Sequence, residues 1–319
     1  MEAPEGSDVD PGHLRAVYPR RATRQTNSND PLHRPSKETK PLEIALLGSG
    51  SQGNSVLVRS ADSVLLIDAG LSAKETTARL AKVGVSPSEL LGIVLTHEHS
   101  DHIRGVGPMA RRWGLPVWTN EGTLEAGKAS LGALPHWGAV EIGVPFEIGD
   151  IWLEPFSIPH DAADPFGLTV KSSQGYHVGI ATDMGFVTQL VRSRLAGIQG
   201  LVLEFNHDLP MLLDGPYPWP IKQRIRGKLG HLNNRDAAGL LGEVASPDLE
   251  WVICAHMSQE NNEKEIIVHE ARGALAGASS LLSRPSMALL HVASQLEPTP
   301  LFGSAGQFSF GQDNGEDQP

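Results

Sequence analysis

The chain has 319 residues, 40% hydrophobic and 20% charged, a balance that excludes a wholly disordered or fibrous protein and is enough to bury a large core. A formal net charge of -11 excludes nucleic-acid binding through bulk charge, so any such binding needs a local basic patch. One cysteine, Cys254 in WVICAH, excludes a disulfide framework and a thiolate zinc site and reads as a small core residue.

Residues 1–40 are rich in Pro, Arg, Ser, Asn and Asp and are expected to form a disordered tail. Its arginines, Arg15, Arg20, Arg21, Arg24 and Arg34, could touch an anionic partner, but a solvated tail is the simpler reading. The segment 41–302 alternates strand and helix patterns, and 303–319 is a second, acidic, low-complexity tail. Apolar β-type runs fall at 43–47, 55–58, 63–67, 93–95, 116–118, 151–156, 168–170, 177–180, 201–204, 251–255 and 288–292. Helical patterns fall at 73–83, 103–113, 124–129, 188–195, 235–245 and 263–274. Early strands joined by tight turns give way to strand–helix pairs, which predicts an α/β fold of two mixed sheets with helices outside. The sequence has no secretory apolar core at its start and no run of eighteen apolar residues, so a cytoplasmic protein without a membrane span is expected.

The notable polar residues sit where apolar runs stop. Asp68 ends SVLLID, His97 follows GIVLT, His160 follows FSIP, Asp183 follows VGIAT, Glu204 and His207 lie in LVLEFNH, and His256 follows WVICA. Strand ends along one sheet edge share a crevice, where α/β enzymes commonly place chemistry. The densest of these stretches is THEHSDH, 96–102. His97 and His99 are two apart, so an extended backbone turns both to one side. Ser100 is expected to cap a helix whose first turn carries Asp101 and His102. Imidazole and carboxylate donors without thiolate suit Zn, Mn or Fe.

THEHSDH resembles the HxHxDH signature of the metallo-β-lactamase superfamily, and the later residues follow that superfamily's order. The resemblance implies a four-layer αββα sandwich over 41–302. It implies a first divalent metal on His97, His99 and His160, and a second on Asp101, His102 and His256, with Asp183 bridging and Asp68 orienting ligands from behind. Two such ions, Zn or Mn, would share a hydroxide that attacks a phosphodiester, thioester, lactone or β-lactam.

Further stretches narrow the substrate. They are GSGSQGNS at 48–55, PHDAADP at 159–165, ATDMG at 181–185, FNHDLPMLLDG at 205–215, GHLNN at 230–234 and HMSQENN at 256–262. Together they resemble the YycJ/WalJ family of exonuclease-like proteins, except that Asn233 stands where Ser is usual. The resemblance implies a DNA exonuclease acting on nucleic acid through a metal-bridging hydroxide. In that reading Asp101, Asp68 and His231 serve the chemistry, His231 as general acid. Ser49, Asn54, His207, Asn234, Arg224, Arg226 and Lys228 are expected to meet the substrate. The basic run that also includes Lys222 and Arg235 would neutralise phosphates, although a solvated charged loop also accounts for it. Turn chemistry likewise accounts for the Gly/Ser segment. His207 reads as a further ligand or a phosphate contact, Glu204 as a carboxylate held by backbone amides or bonded to a ligand histidine, and Asp161 as a hydrogen-bonding support. Trp219, beside Tyr217 in PYPWP, can stack on a base. The competing readings are a hydrolase of a small thioester, lactone or cyclic phosphodiester, and a binding module that kept the fold. Metal identity, cleavage polarity and oligomeric state do not follow from the residues.

Overall fold

The computed structural model describes residues 42–281 and 288–303. The tail expected at 1–40 lies outside the described residues, as does the expected 303–319 tail beyond position 303. In chain order the elements are β1 (Glu43–Gly48), β2 (Ser55–Arg59), β3 (Val64–Ile67), α1 (Ala73–Lys82), β4 (Gly92–Val94), α2 (Ser100–Ile103), α3 (Val106–Trp113), β5 (Pro116–Thr119) and α4 (Glu121–Leu131). Next come β6 (His136–Ala139), β7 (Phe146–Ile148), β8 (Ile151–Ser157), β9 (Phe166–Ser172), β10 (His177–Ala181), α5 (Gln189–Leu195) and β11 (Gly200–Glu204). The last third holds α6 (Leu209–Asp214), α7 (Trp219–Ile225), α8 (Asn234–Val244), β12 (Trp251–Ala255), α9 (Lys264–Leu281), β13 (Leu289–Val292) and β14 (Phe302–Gly303).

Two seven-stranded sheets run in the orders β14-β1-β2-β3-β4-β5-β6 and β13-β12-β11-β10-β9-β8-β7. Each is mixed. Antiparallel pairing joins β1, β2 and β3, then β3 through β6 run parallel. Antiparallel pairing joins β7 through β10, then β10 through β13 run parallel.

Strand alternation sorts the apolar residues into three cores. Ile44, Leu46, Leu65 and Ile67 face Leu153, Val170, Val202 and Ile253 between the sheets. Their neighbours Ala45, Leu47 and Leu66 turn outward onto Leu80 of α1 and Met109 of α3. Leu201, Leu203, Val252 and Cys254 turn outward onto α5, α8 and α9 through Val191, Leu241 and Ile267. The layers are therefore helix, sheet, sheet, helix, as the resemblance implied.

The short strands β6, β7 and β14 and the helices α6 and α7 were not expected from the sequence. The helix expected at 103–113 is broken in two at Arg104 and Gly105. A Cβ on Gly105 would lie 2.1 Å from Leu71 O, and Gly105 N bonds Ala69 O at 2.7 Å, so this glycine lets THEHSDH pack directly on the end of β3.

Candidate metal centre

All the strands that carry candidate ligands end on one edge of the sandwich. At three of these ends a non-glycine residue takes a left-handed conformation: Asp68 (φ 60°), Asp183 (φ 63°) and His256 (φ 54°). Such residues cost on the order of 1–3 kcal/mol each and cluster where function demands them. Here the reversal aims each side chain over the edge of its own sheet.

THEHSDH is held by its own carbonyls. Asn54 N bonds Asp101 O at 2.7 Å and Ala69 N bonds His102 O at 2.9 Å. The residue at the start of α2 is His99 rather than Ser100, and it makes no side-chain cap. Ser100 is the first helical residue, so the expected Ser100 cap is absent, while Asp101 and His102 do lie in the first turn.

Three donor groups form, two of them overlapping. The ligand atoms of Asp183, Glu204, His231 and His256 lie within 4.8 Å of one another. So do those of His97, His99 and His160 and those of Asp101, His102, Asp183 and His256, two groups that stand side by side. Asp183 stands between them, with Oδ2 3.4 Å from His102 Nε2 and Oδ1 3.9 Å from His160 Nε2.

Each histidine has one ring nitrogen engaged by a protein oxygen and the other turned inward. His102 Nδ1 donates to Asp68 Oδ2 at 2.8 Å, His256 Nδ1 to Glu204 Oε1 at 3.0 Å, His160 Nδ1 to Gly230 O at 3.1 Å, and His99 Nε2 to Asp161 O at 3.1 Å. His97 Nδ1 meets Thr96 Oγ1 at 3.0 Å. Outer oxygen partners of this kind fix the tautomer and raise the basicity of the inward nitrogen. His97 Nε2 and Asp183 Oδ2 are buried without a hydrogen-bond partner, a costly arrangement that a cation relieves. Donor spacings of 3.3 Å (His256 to Asp101) and 3.5 Å (His102 to Asp101) suit four N and O donors around an ion at about 2.0–2.2 Å. The residues fit divalent metal.

The charges interlock. Burial opposes ionisation of Asp101 and Asp183, yet His102 and His256 hold both carboxyls well below the ordinary range. Burial likewise opposes protonation of His256, but Asp183, Asp101 and Glu204 push it up to about 10. Burial lowers His97, and the neighbouring His102 reinforces it.

Asp68 accepts from Thr96 N, Thr96 Oγ1 and His102 Nδ1, each at 2.8 Å. Glu204, fully buried, accepts from Met184 N (2.8 Å), Leu232 N (3.2 Å), His256 Nδ1 (3.0 Å) and His231 Nδ1 (2.8 Å). Both alternatives read for Glu204 in the sequence hold at once, with His231 added. His231 stands at the edge of the site, its ring 5.1 Å from that of His160 and 5.0 Å from that of His256.

Of the other residues expected to meet the substrate, Ser49, Asn54, His207 and Asn234 are buried, and Arg224, Arg226 and Lys228 are exposed. Ser49 Oγ accepts from His256 N at 2.7 Å. Asn54 is also buried, its Oδ1 taken by Gly50 N at 2.8 Å and its Nδ2 aimed at Asp101 Oδ2 (2.9 Å) and His102 Nε2 (3.1 Å). Asn234 is locked in an amide pair with Asn262, which ties GHLNN to HMSQENN. Asn233 caps α8 by accepting from Asp236 N at 3.0 Å, a role Ser fills equally well, so this departure from the family pattern is conservative. His207 is buried, bridged to Asn233, and belongs to none of the donor groups; burial lowers it to about 4. Of the basic run, Lys222 is buried and spends its Nζ on Leu213 O, Arg224 pairs with Asp161 at 2.6 Å, and Arg226 and Lys228 are exposed. Thr96, Glu98 and Asn206 were not picked out from the sequence. Glu98 accepts from Ala163 N at 2.7 Å and clamps the His160 loop onto THEHSDH, and Asn206 Nδ2 donates to His256 O at 3.0 Å. Their signal was position alone, inside or beside the motifs.

A cleft of about 300 Å³ opens over the donors, with Tyr217, Ile221, Arg224 and Ile225 on the opposite wall.

This fold and paired His/Asp site define a metal-dependent hydrolase of the metallo-β-lactamase superfamily, whose family model matches residues 48–179. In solved structures the chain is similar to the metallo-β-lactamase fold protein YhfI from Bacillus subtilis, with a TM-score of 0.60 and 15% identity over 82% of this chain and 100% of that one. Among characterised sequences it is 38% identical to the exodeoxyribonuclease YycJ of Bacillus anthracis, covering 70% of this chain and 86% of the relative. It is equally 38% identical to the exodeoxyribonuclease WalJ of Streptococcus pneumoniae, covering 70% and 85%. The chain belongs to the YycJ/WalJ family. Among the described residues no helix is long and apolar enough to cross a membrane.

Proposed function

We propose that the protein is a dinuclear metal-dependent phosphodiesterase that hydrolyses nucleic acid, as a DNA exonuclease. The observation that carries this reading is the Glu204–His231 pair set beside the donor groups, where Asp183 lies 3.4 Å from His102 and 3.9 Å from His160. Two ions, Zn or Mn, held by His97, His99 and His160 and by Asp101, His102, His256 and Asp183, would supply a water-derived nucleophile at neutral pH and Lewis-acid stabilisation of phosphoryl oxygens.

The chain's own residues do the rest. Asp68 and Glu204 keep His102 and His256 in the tautomer that offers Nε2. A phosphodiester leaves as an alkoxide and needs a proton, whereas a thioester leaves as a stable thiolate and does not. His231, with Nδ1 fixed on Glu204, turns Nε2 toward the cleft and is placed to give that proton. Arg224 on the facing wall, with Arg226 and Lys228 beyond it, lends cationic contact to the phosphate backbone without reading sequence. The names of the YycJ and WalJ relatives support DNA as the polymer.

The test couples metal analysis to nuclease assays. The purified chain is expected to hold two divalent ions and to shorten end-labelled DNA with Mn or Zn. His99→Ala is expected to lose metal and activity together. His231→Ala is expected to keep its metal and lose roughly 10²–10⁴ in kcat. A metal-loaded protein inert on DNA and RNA of every end structure overturns the reading.

A further inference from the structure

The wall that faces the donors is apolar as well as cationic. Tyr217 and Ile221 line the same cleft as His99, Asp101 and His256, and Ile221 is 41% exposed. Between them in sequence, Trp219 is 54% exposed, with the Arg226 guanidinium 6.0 Å from its ring centroid. Large side chains of this kind are expensive to leave in water, and here they border a charged site.

The wall is also rigid. Lys222 Nζ ties α7 to Leu213 O at 2.6 Å, Arg224 is paired to Asp161 beside His160, and His231 N bonds Ile225 O at 2.8 Å. The apolar face is thereby fixed relative to the proposed proton donor. A reader of the phosphate backbone alone needs cations and has no use for this surface. A nucleic acid offers flat apolar faces only where its bases are unstacked, and aromatic side chains alternating with cations bind such bases. The segment 217–228 carries both kinds of side chain: Tyr217 and Trp219, then Arg224, Arg226 and Lys228.

We propose that α7 and the loop before it form a base-stacking platform. The terminal nucleotide is drawn out of its pair into the cleft, with its base against Tyr217 and Ile221 and its phosphate toward the metal donors. The neighbouring base lies on Trp219. Tyr217, Ile221 and Trp219 thus select an unpaired end. This rests on the phosphodiesterase reading above and adds the form of substrate the site accepts.

The experiment uses the full chain, metal-loaded, on end-labelled duplexes that differ only in the terminal pair: G·C, mismatched or abasic. The wild type is expected to prefer the mismatched end to the G·C end. Tyr217→Ala and Trp219→Ala are expected to raise KM at least fivefold on the mismatched end, with kcat within about twofold. The Tyr217→Ala penalty is expected to shrink on the abasic end, where no terminal base remains to stack, while the Trp219→Ala penalty persists, and Tyr217→Phe is expected to restore most of the affinity. Thermal melts within about 2 °C of wild type show that the variants are folded. Wild-type-like KM in both alanine variants, or equal rates on the three ends, overturns the platform while leaving the phosphodiesterase intact. A wild type that cleaves none of these substrates overturns both.

Discussion

At the scale of single residues, Asp68 organises the site without belonging to any of the donor groups. Asp68 gathers Thr96 N, Thr96 Oγ1 and His102 Nδ1 on its two oxygens. Without it, His102 is free to rotate or to change tautomer, and Thr96 loses the acceptor that lets its hydroxyl face His97. The effect falls on His102 most directly. On the dinuclear reading proposed above, Asp68→Ala is expected to weaken the metal on His102 by roughly 10–100-fold and the one on His97, His99 and His160 by much less. Competition against a series of chelators, with the ion remaining on the protein counted at each step, separates the two. Equal losses at both sites, or none, would show that Asp68 is not what orients His102.

At the scale of elements, the site depends on how closely the turn after β3 lies against THEHSDH. A Cβ on Gly70 would sit 1.5 Å from Asp101 O and 2.8 Å from Asn54 N. Gly70→Ala must push these segments apart, at a cost of about 1–3 kcal/mol or more. The expected result is a fall in Tm of a few degrees to about 10 °C, together with loss of the second metal. A Gly70→Ala protein with wild-type Tm and two bound ions would contradict this packing. The same contact explains what the sequence made legible. The donors could be read because they occupy a short motif and a series of strand ends, and a strand end shows itself as an apolar run that stops. The strands β6 and β7 were missed because each is brief and lies at or near a sheet edge, with exposed residues that break the apolar pattern. The helices α6 and α7 were hidden behind GPYPWP, where Pro216, Pro218 and Pro220 suggest a loop. Pro220 sits in the first turn of α7, where proline is tolerated. Ser49, Asn54 and Asn234 were expected to meet the substrate because they lie in the motifs that carry the family resemblance. Their partners, His256 N, Gly50 N and Asn262, are set by tertiary packing that no local pattern encodes.

At the scale of the whole molecule, the titrating groups divide by the direction in which they favour folding. His102 and His256 are raised, so their contribution is full below the unfolded value of about 6.5 and fades as pH rises through the folded values. Asp101, Asp183 and Glu204 are lowered, so theirs is full above about 4 and fades only in stronger acid. His207 and His177 behave differently. Burial brings each to about 4, with Lys171 adding to the effect at His177. Between roughly pH 4 and 6.5 the unfolded chain binds a proton at each that the folded chain refuses, so stability falls as pH falls through this window. Each group contributes a slope of at most about 1.4 kcal/mol per pH unit. His207 lies outside the donor groups, so its share can be isolated without disturbing metal. His207→Gln keeps a polar side chain next to Asn206 and removes the titration. Its Tm is expected to drop less steeply than that of the wild type between pH 6.5 and 4.5 and to run parallel above pH 7. If the two curves stay parallel throughout, His207 is not held neutral by burial, and the acid sensitivity of the fold in this window originates at other lowered groups such as His177.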